Sequence, residues 1–174
     1  MDRALDLMPI SSWRRLFCRL SLFSFLLCTL LPPLPTFAQS SVVIGELQWA
    51  GSEASTADEW IELWNLGSAP FSLNGFRLRG VGGGSDLTFS SQDSIPPRSA
   101  YLIANYPTSD SRTTLALQAQ VVTTTLSLTN EKTTVELIDP QGTVLDRVQW
   151  DKAAPGGSSG TPRSSMVRTN SSQQ

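Results

Sequence analysis

From Ser41 onward the chain is cut into apolar runs of strand length, each closed by residues that turn the backbone. The runs are "SVVIGELQW", "EWIELWN", "FSLNGFRLRG", "DLTFS", "AYLIANY", "VVTTTLSL", "TTVELID", "TVLDRVQW" and "SSMVRT". Valine, threonine, isoleucine and tryptophan dominate them, the residues that suit a pleated, half-buried surface. Between them stand "NLGSAP", "VGGGSD", "SIPPRS", "TNEK", "DPQG" and "APGGSSGTP", where glycine, proline, asparagine and aspartate favour turns. The segment "TSDSRTTLALQAQ" comes nearest to a helical apolar period, and its threonines argue against one. Short strands at this spacing predict an all-β sandwich or barrel.

The clearest local unit is "TTVELIDPQGTVLDRVQW", in which two alternating runs flank Asp139-Pro140-Gln141-Gly142. Proline fixes φ inside such a turn, so the spacing predicts a hairpin.

The first 38 residues have a different character. Arg14, Arg15 and Arg19 precede a twelve-residue apolar run, Leu20 to Leu31, followed by "PPLPTFAQ" with Thr36 and Ala38 at the small positions of a cleavage site. This predicts a secretory signal peptide over 1–38, cleaved after Ala38, with an uncleaved anchor as the competing reading. The run falls short of the roughly 20 residues that span a bilayer. Cys28 follows Leu27 rather than a small residue, which disfavours lipid attachment.

Cleavage would leave the 136 residues from Gln39 to Gln174, enough for one domain with its own core. Cys18 and Cys28 would depart with the signal, so neither a disulfide nor thiol chemistry is expected afterwards. The remainder has 9 basic and 13 acidic residues, a net charge of −4, and its basic residues are scattered. A nucleic-acid partner is therefore not expected. The chain contains no histidine. That removes Ser-His-Asp and Cys-His catalysis and every imidazole metal site.

The stretch "ADEWIELWNLGS", Ala57 to Ser68, concentrates tryptophans and carboxylates. Thr56 to Glu59 fits a capping box, but eight residues from Asp58 to Asn65 are short for a helix. As a strand, Ile61 and Leu63 face the core, while Trp60, Glu62 and Trp64 form the opposite face. Glu53, Asp58, Glu59 and Glu62 form the densest acidic group. Two readings give this group chemistry: a carboxylate pair for glycoside hydrolysis, or a calcium loop built from Glu53, Asp58 and carbonyls. A solvated acidic surface is the plainer alternative.

Other motifs carry less. Gly156-Gly157-Ser158-Ser159-Gly160 matches G-x-S-x-G without the histidine or helix that motif requires. "GVGGGSD", Gly80 to Asp86, has neither a following helix nor the lysine of a phosphate loop. Asn170-Ser171-Ser172 has the form of a glycosylation acceptor. The tail from Ala153 reads as loop, with an edge strand at 165–169.

Taken together, "VVIGELQWAGSEASTADEWIELWNLGSAPFSLNGFRLRG" resembles the opening of the lamin-tail domain. Glu46 and Trp49 match its first strand, "DEWIELWN" its second, and Leu73, Gly75, Phe76 and Leu78 its "L-x-G-F-x-L". "IPPRSAYLI" is similar to the family's "I-P-x-G-x-Y-x-L", with Arg98 standing where glycine is usual. Ser165, Met166 and Arg168 match the closing Ser-hydrophobic-x-Arg pattern. The resemblance implies an immunoglobulin-like β-sandwich of about seven to nine short strands. It supplies no catalytic set.

The expectation is accordingly an exported, non-enzymatic module over 39–152 for protein binding or scaffolding at the cell envelope or beyond it. Trp49, Asp58, Glu59, Trp60 and Glu62 are the candidate binding residues. No cofactor, metal or further membrane span is expected, and the partner would be a protein or glycan. The alternatives are a calcium-stabilised adhesion or carbohydrate-binding domain, or a small secreted hydrolase using Glu59 or Glu62.

Overall fold

The computed structural model describes residues 41–169; the expected signal segment 1–38 and the Asn170 acceptor pattern lie outside them. Eleven strands are found among the described residues and no helix. In order they are β1 (Val42–Gln48), β2 (Trp60–Asn65), β3 (Phe71–Ser72), β4 (Arg77–Arg79), β5 (Leu87–Thr88), β6 (Ser94–Ile95), β7 (Ala100–Ala104), β8 (Val121–Val122), β9 (Thr133–Ile138), β10 (Val144–Trp150) and β11 (Met166–Val167). The number exceeds seven to nine because five of the eleven are two-residue pieces.

One sheet runs β11-β1-β2-β7-β8, a second runs β10-β9-β4-β5, and β3 pairs with β6 alone. Alternation sets which side chains enter the core, because successive residues of a strand point to opposite faces. Ile44, Leu47, Ile61, Leu63, Tyr101 and Ile103 come from the first sheet, and Leu78, Val135 and Leu137 from the second. Ile61, Leu63, Leu78, Val135 and Leu137 are fully buried. Each such aliphatic side chain contributes roughly 1.5–3 kcal/mol relative to exposure. Trp49 and Trp150 close one part of this core, their rings 6.3 Å apart and tilted by 58°. The strand reading of Trp60–Asn65 therefore holds, with Ile61 and Leu63 inward.

The β9–β10 hairpin forms around the expected turn. Gly142 N–H donates to Asp139 O at 3.0 Å, and Asp139 Oδ1 accepts the N–H groups of Gln141 and Thr143.

The first sheet has a second, smaller core on its outer face. After β7 the chain folds back over that face, so that Ala119 and Leu115 pack with Leu102, Ala104 and Trp60. Gln120 fixes the return: its N–H donates to Leu102 O at 2.9 Å and its Oε1 accepts Leu102 N–H at 2.6 Å.

Two local expectations are corrected. "VVTTTLSL" is a strand only at Val121–Val122. Beyond it the threonine hydroxyls bond each other, Thr123 Oγ1 to Thr125 Oγ1 at 2.8 Å, and Leu126 N–H turns back to Thr123 O. Such local bonding competes with a sheet ladder, and Leu126 and Leu128 drop into the core instead. Conversely, Ser94–Ile95, read as the start of a turn, forms β6 against β3.

The segment after Trp150 is tied to the first strand. β11 pairs antiparallel with β1 through Glu46↔Val167 and Leu47↔Met166. Trp49 Nε1 donates to Gly156 O at 3.0 Å, and Arg163 N–H donates to Glu53 Oε1 at 2.8 Å. Ser158, the would-be nucleophile of G-x-S-x-G, forms a bridge with Ser164.

Candidate functional site

The outer face of β1 and β2 is organised by a glycine. The register slips between Ile44 and Glu46, leaving Gly45 as the extra residue of a bulge. A Cβ on Gly45 would stand 2.0–2.3 Å from Cδ2, Cε2 and Cγ of Trp64. The indole therefore lies against the bare Gly45 backbone. Its Nε1 donates to Glu62 Oε2 at 2.7 Å, which fixes the ring within its own strand. Trp64 remains half-buried, as do Trp60, Glu62 and Glu46. Glu46 and Glu62 are direct cross-strand partners, and Gln48 is the partner of Trp60. This places two tryptophans, two carboxylates and an amide on one face.

Asp58 and Glu59 stand just before β2 and are turned to other tasks. Asp58 is fully buried, and its Oδ2 accepts Thr114 N–H at 2.9 Å, anchoring the segment that covers the outer face. Glu59 Oε2 accepts Leu128 N–H at 2.8 Å. Burial pushes the Glu59 carboxyl up to about 7, against a smaller opposite pull from the Leu128 N–H. Beside them Asn105 donates through Nδ2 to Ala57 O and Leu126 O, at 2.8 and 2.7 Å, and through its backbone N–H to Glu59 O. These side chains supply the partners that the irregular 123–128 segment cannot find in a ladder.

Trp49 belongs to the core. The five sequence-predicted residues thus occupy three settings. Trp49 packs inside, Asp58 and Glu59 hold loop backbone, and Trp60 and Glu62 share the outer face. Glu53 is occupied by Arg163 N–H. Among the described residues no group of three or more Asp, Glu, His or Cys is arranged to hold a metal ion. Nor is any helix among them long and apolar enough to cross a membrane.

Several positioning residues escaped the sequence reading. Asn65 is 1 % exposed and spends its whole amide on the 65–69 and 95–96 turns: Nδ2 donates to Ala69, Ile95 and Pro96 carbonyls, and Oδ1 accepts Gly67 N–H. Its signal was an asparagine closing a strand before Leu-Gly-Ser. Gly45 was also legible in principle, since glycine inside a strand run marks a bulge or a close approach. Asp146, which accepts Ile44 N–H at 2.7 Å, had no local signal.

Two further surfaces complete the picture. On the outer face of the second sheet, Glu136 receives Arg147 and Arg79, and Asp86 of the former glycine-rich loop receives Arg77 and Arg79. Between β10 and the β1–β11 seam lies an open groove of about 800 Å³, lined in part by Val144, Asp146, Met166 and Arg168.

Against known proteins, the family model described as the Lamin Tail Domain matches residues 35–152. No curated protein matches the chain.

Proposed function

Because the chain belongs to the lamin tail domain family, an immunoglobulin-like interaction module, we propose that it is an exported, non-enzymatic binding module acting at the cell envelope or outside the cell. Its contact surface is the outer face of β1 and β2. The carrying observation is the half-buried Trp64, clamped between Gly45 and Glu62 on a face that only partly disappears beneath the 107–120 segment. A rigid, partly exposed indole offers contact area at little entropic cost, which suits it to recognition. Chemistry is disfavoured by the same bonds. Glu59 and Glu62, the carboxylates a hydrolase would need, are engaged by Leu128 N–H and the Trp64 indole. The arginine-rich head and apolar run of 1–38 support export.

The test places a photo-crosslinking residue at Ala100, an exposed position paired with Trp64, and in a control chain at Thr134 on the opposite sheet. A discrete protein adduct from position 100, missing from position 134, is the expected result. Identical adducts from both positions, or none, would refute the reading. The mass of the secreted chain should correspond to a start at Gln39.

A further inference from the structure

We propose that the outer face of β1 and β2 receives an arginine side chain of a partner protein, its guanidinium stacked on Trp64 and paired with Glu46 and Glu62. This deepens the functional reading above and rests on it.

Three observations lead there. First, Glu46 and Glu62 are direct cross-strand partners, and like charges so placed repel. No ion pair of either carboxylate is found among the described residues. The arginine next to this strand is committed elsewhere: Arg168 donates to Ile44 O and Asp146 Oδ2. Second, the indole is held before any ligand arrives, packed on Gly45 with its N–H satisfied by Glu62. The aromatic face is the part left to recognise a ligand, and such a face attracts cations. Third, the position across the sheet from Trp64 on β7 is Ala100, which is exposed and carries only a methyl group, so no bulky neighbour on that strand shields the indole.

Arginine fits better than lysine. Its flat, weakly hydrated head can stack on an indole and bond carboxylates at once, whereas an ammonium is a compact, strongly hydrated charge. A sugar would use the indole but would leave the two facing carboxylates uncompensated. The net charge of −4 over 39–174 favours a basic partner in the same sense.

The test is calorimetric titration of the full chain with a hexa-arginine peptide, beside hexa-lysine, hexa-citrulline and xylohexaose. Citrulline keeps the shape and removes the charge. The E46Q/E62Q double variant removes both charges yet leaves an oxygen to accept the Trp64 indole N–H, and near-UV circular dichroism checks that its fold is intact. Saturable arginine binding is expected, at least tenfold tighter than lysine, lost with citrulline, and weakened at least tenfold in E46Q/E62Q. Equal binding of lysine, unchanged binding by E46Q/E62Q, binding of xylohexaose alone, or no binding would each overturn the proposal. Should the adduct at position 100 form equally well in E46Q/E62Q, the contact surface stands and the guanidinium inference falls.

Discussion

Arg168 Nη2 lies 2.7 Å from Asp146 Oδ2, and the same oxygen accepts the Ile44 N–H at 2.7 Å. One carboxylate thus joins β10 of the second sheet to β1 and the chain just after β11 in the first. Both side chains are largely buried, 18 % and 5 % exposed. Removing one member of such a pair strands the other charge, at a cost of about 3–5 kcal/mol. Arg168→Ala should lower stability by an amount in that range in urea unfolding. A loss below about 1 kcal/mol would show that the pair is not holding the sheets together.

Truncation after Lys152 should be at least as damaging as Arg168→Ala, although the family match also ends there. The segment beyond it supplies β11, the acceptor for Trp49 Nε1 and the partner of Glu53. Limited proteolysis of the truncated chain provides the check: rapid cleavage within β1 is expected, where the full chain resists.

Gly45→Ala forces a methyl group into the Trp64 ring. Overpacking of this kind costs about 1–3 kcal/mol, and here the indole must also leave its bond to Glu62. Adding Trp64→Leu should recover most of the loss, since the obstacle is then gone. Simple additivity of the two substitutions in a double-mutant cycle would mean that the ring and the bulge are not coupled.

Glu59 predicts a pH dependence whose sign is fixed by its environment. Its carboxyl is raised from 4.5 to about 7 by burial. Below pH 4.5 both folded and unfolded chains hold the proton, so this contribution to stability is fully present. As pH rises to 7 the unfolded chain ionises first, and stability falls by on the order of 3 kcal/mol. Glu59→Gln keeps an acceptor for Leu128 N–H but cannot ionise. The difference in stability between the two chains should therefore grow from pH 4.5 to 7 and stay level above it. A constant difference across that window would contradict the assignment.

Arg98 adopts φ 54°, in the left-handed region that costs an L-residue roughly 1–2 kcal/mol. Arg98→Gly removes that strain, partly offset by the greater freedom of glycine in the unfolded chain. A net gain of about 0.5–1 kcal/mol is expected, read as a higher urea midpoint. The family resemblance had marked this position as the place where glycine is usual.

The long strands were legible because alternation shows on the face of the sequence. Ile61 and Leu63 against Glu62 and Trp64, and the turn at Asp139-Pro140-Gln141-Gly142, needed only local rules. The 123–128 segment misled for a physical reason. Threonine favours a strand, yet here its neighbours Leu126 and Leu128 take their backbone partners from Asn105 and Glu59, side chains 21 and 69 positions away. No local rule sees such a pairing. The same holds for Asp58, which looks like surface charge in sequence and is a buried anchor for Thr114, 56 positions on. Composition could identify an acidic cluster around β2. It could not tell that Glu53, Asp58 and Glu59 would each bond a different piece of backbone.

The seam between β1 and β11 also has a meaning in time. Ile44 and Arg168 stand 124 positions apart. A chain made from its N-terminus exposes one edge of β1 until Met166 and Val167 have been added. Closing so long a loop carries an entropic cost that grows slowly with length, and contacts of such high order make folding slow. Through that interval the bare edge can pair with any passing strand. The β1 edge is closed only by residues 166–168, so it stays open to mispairing however complete the strands between them are.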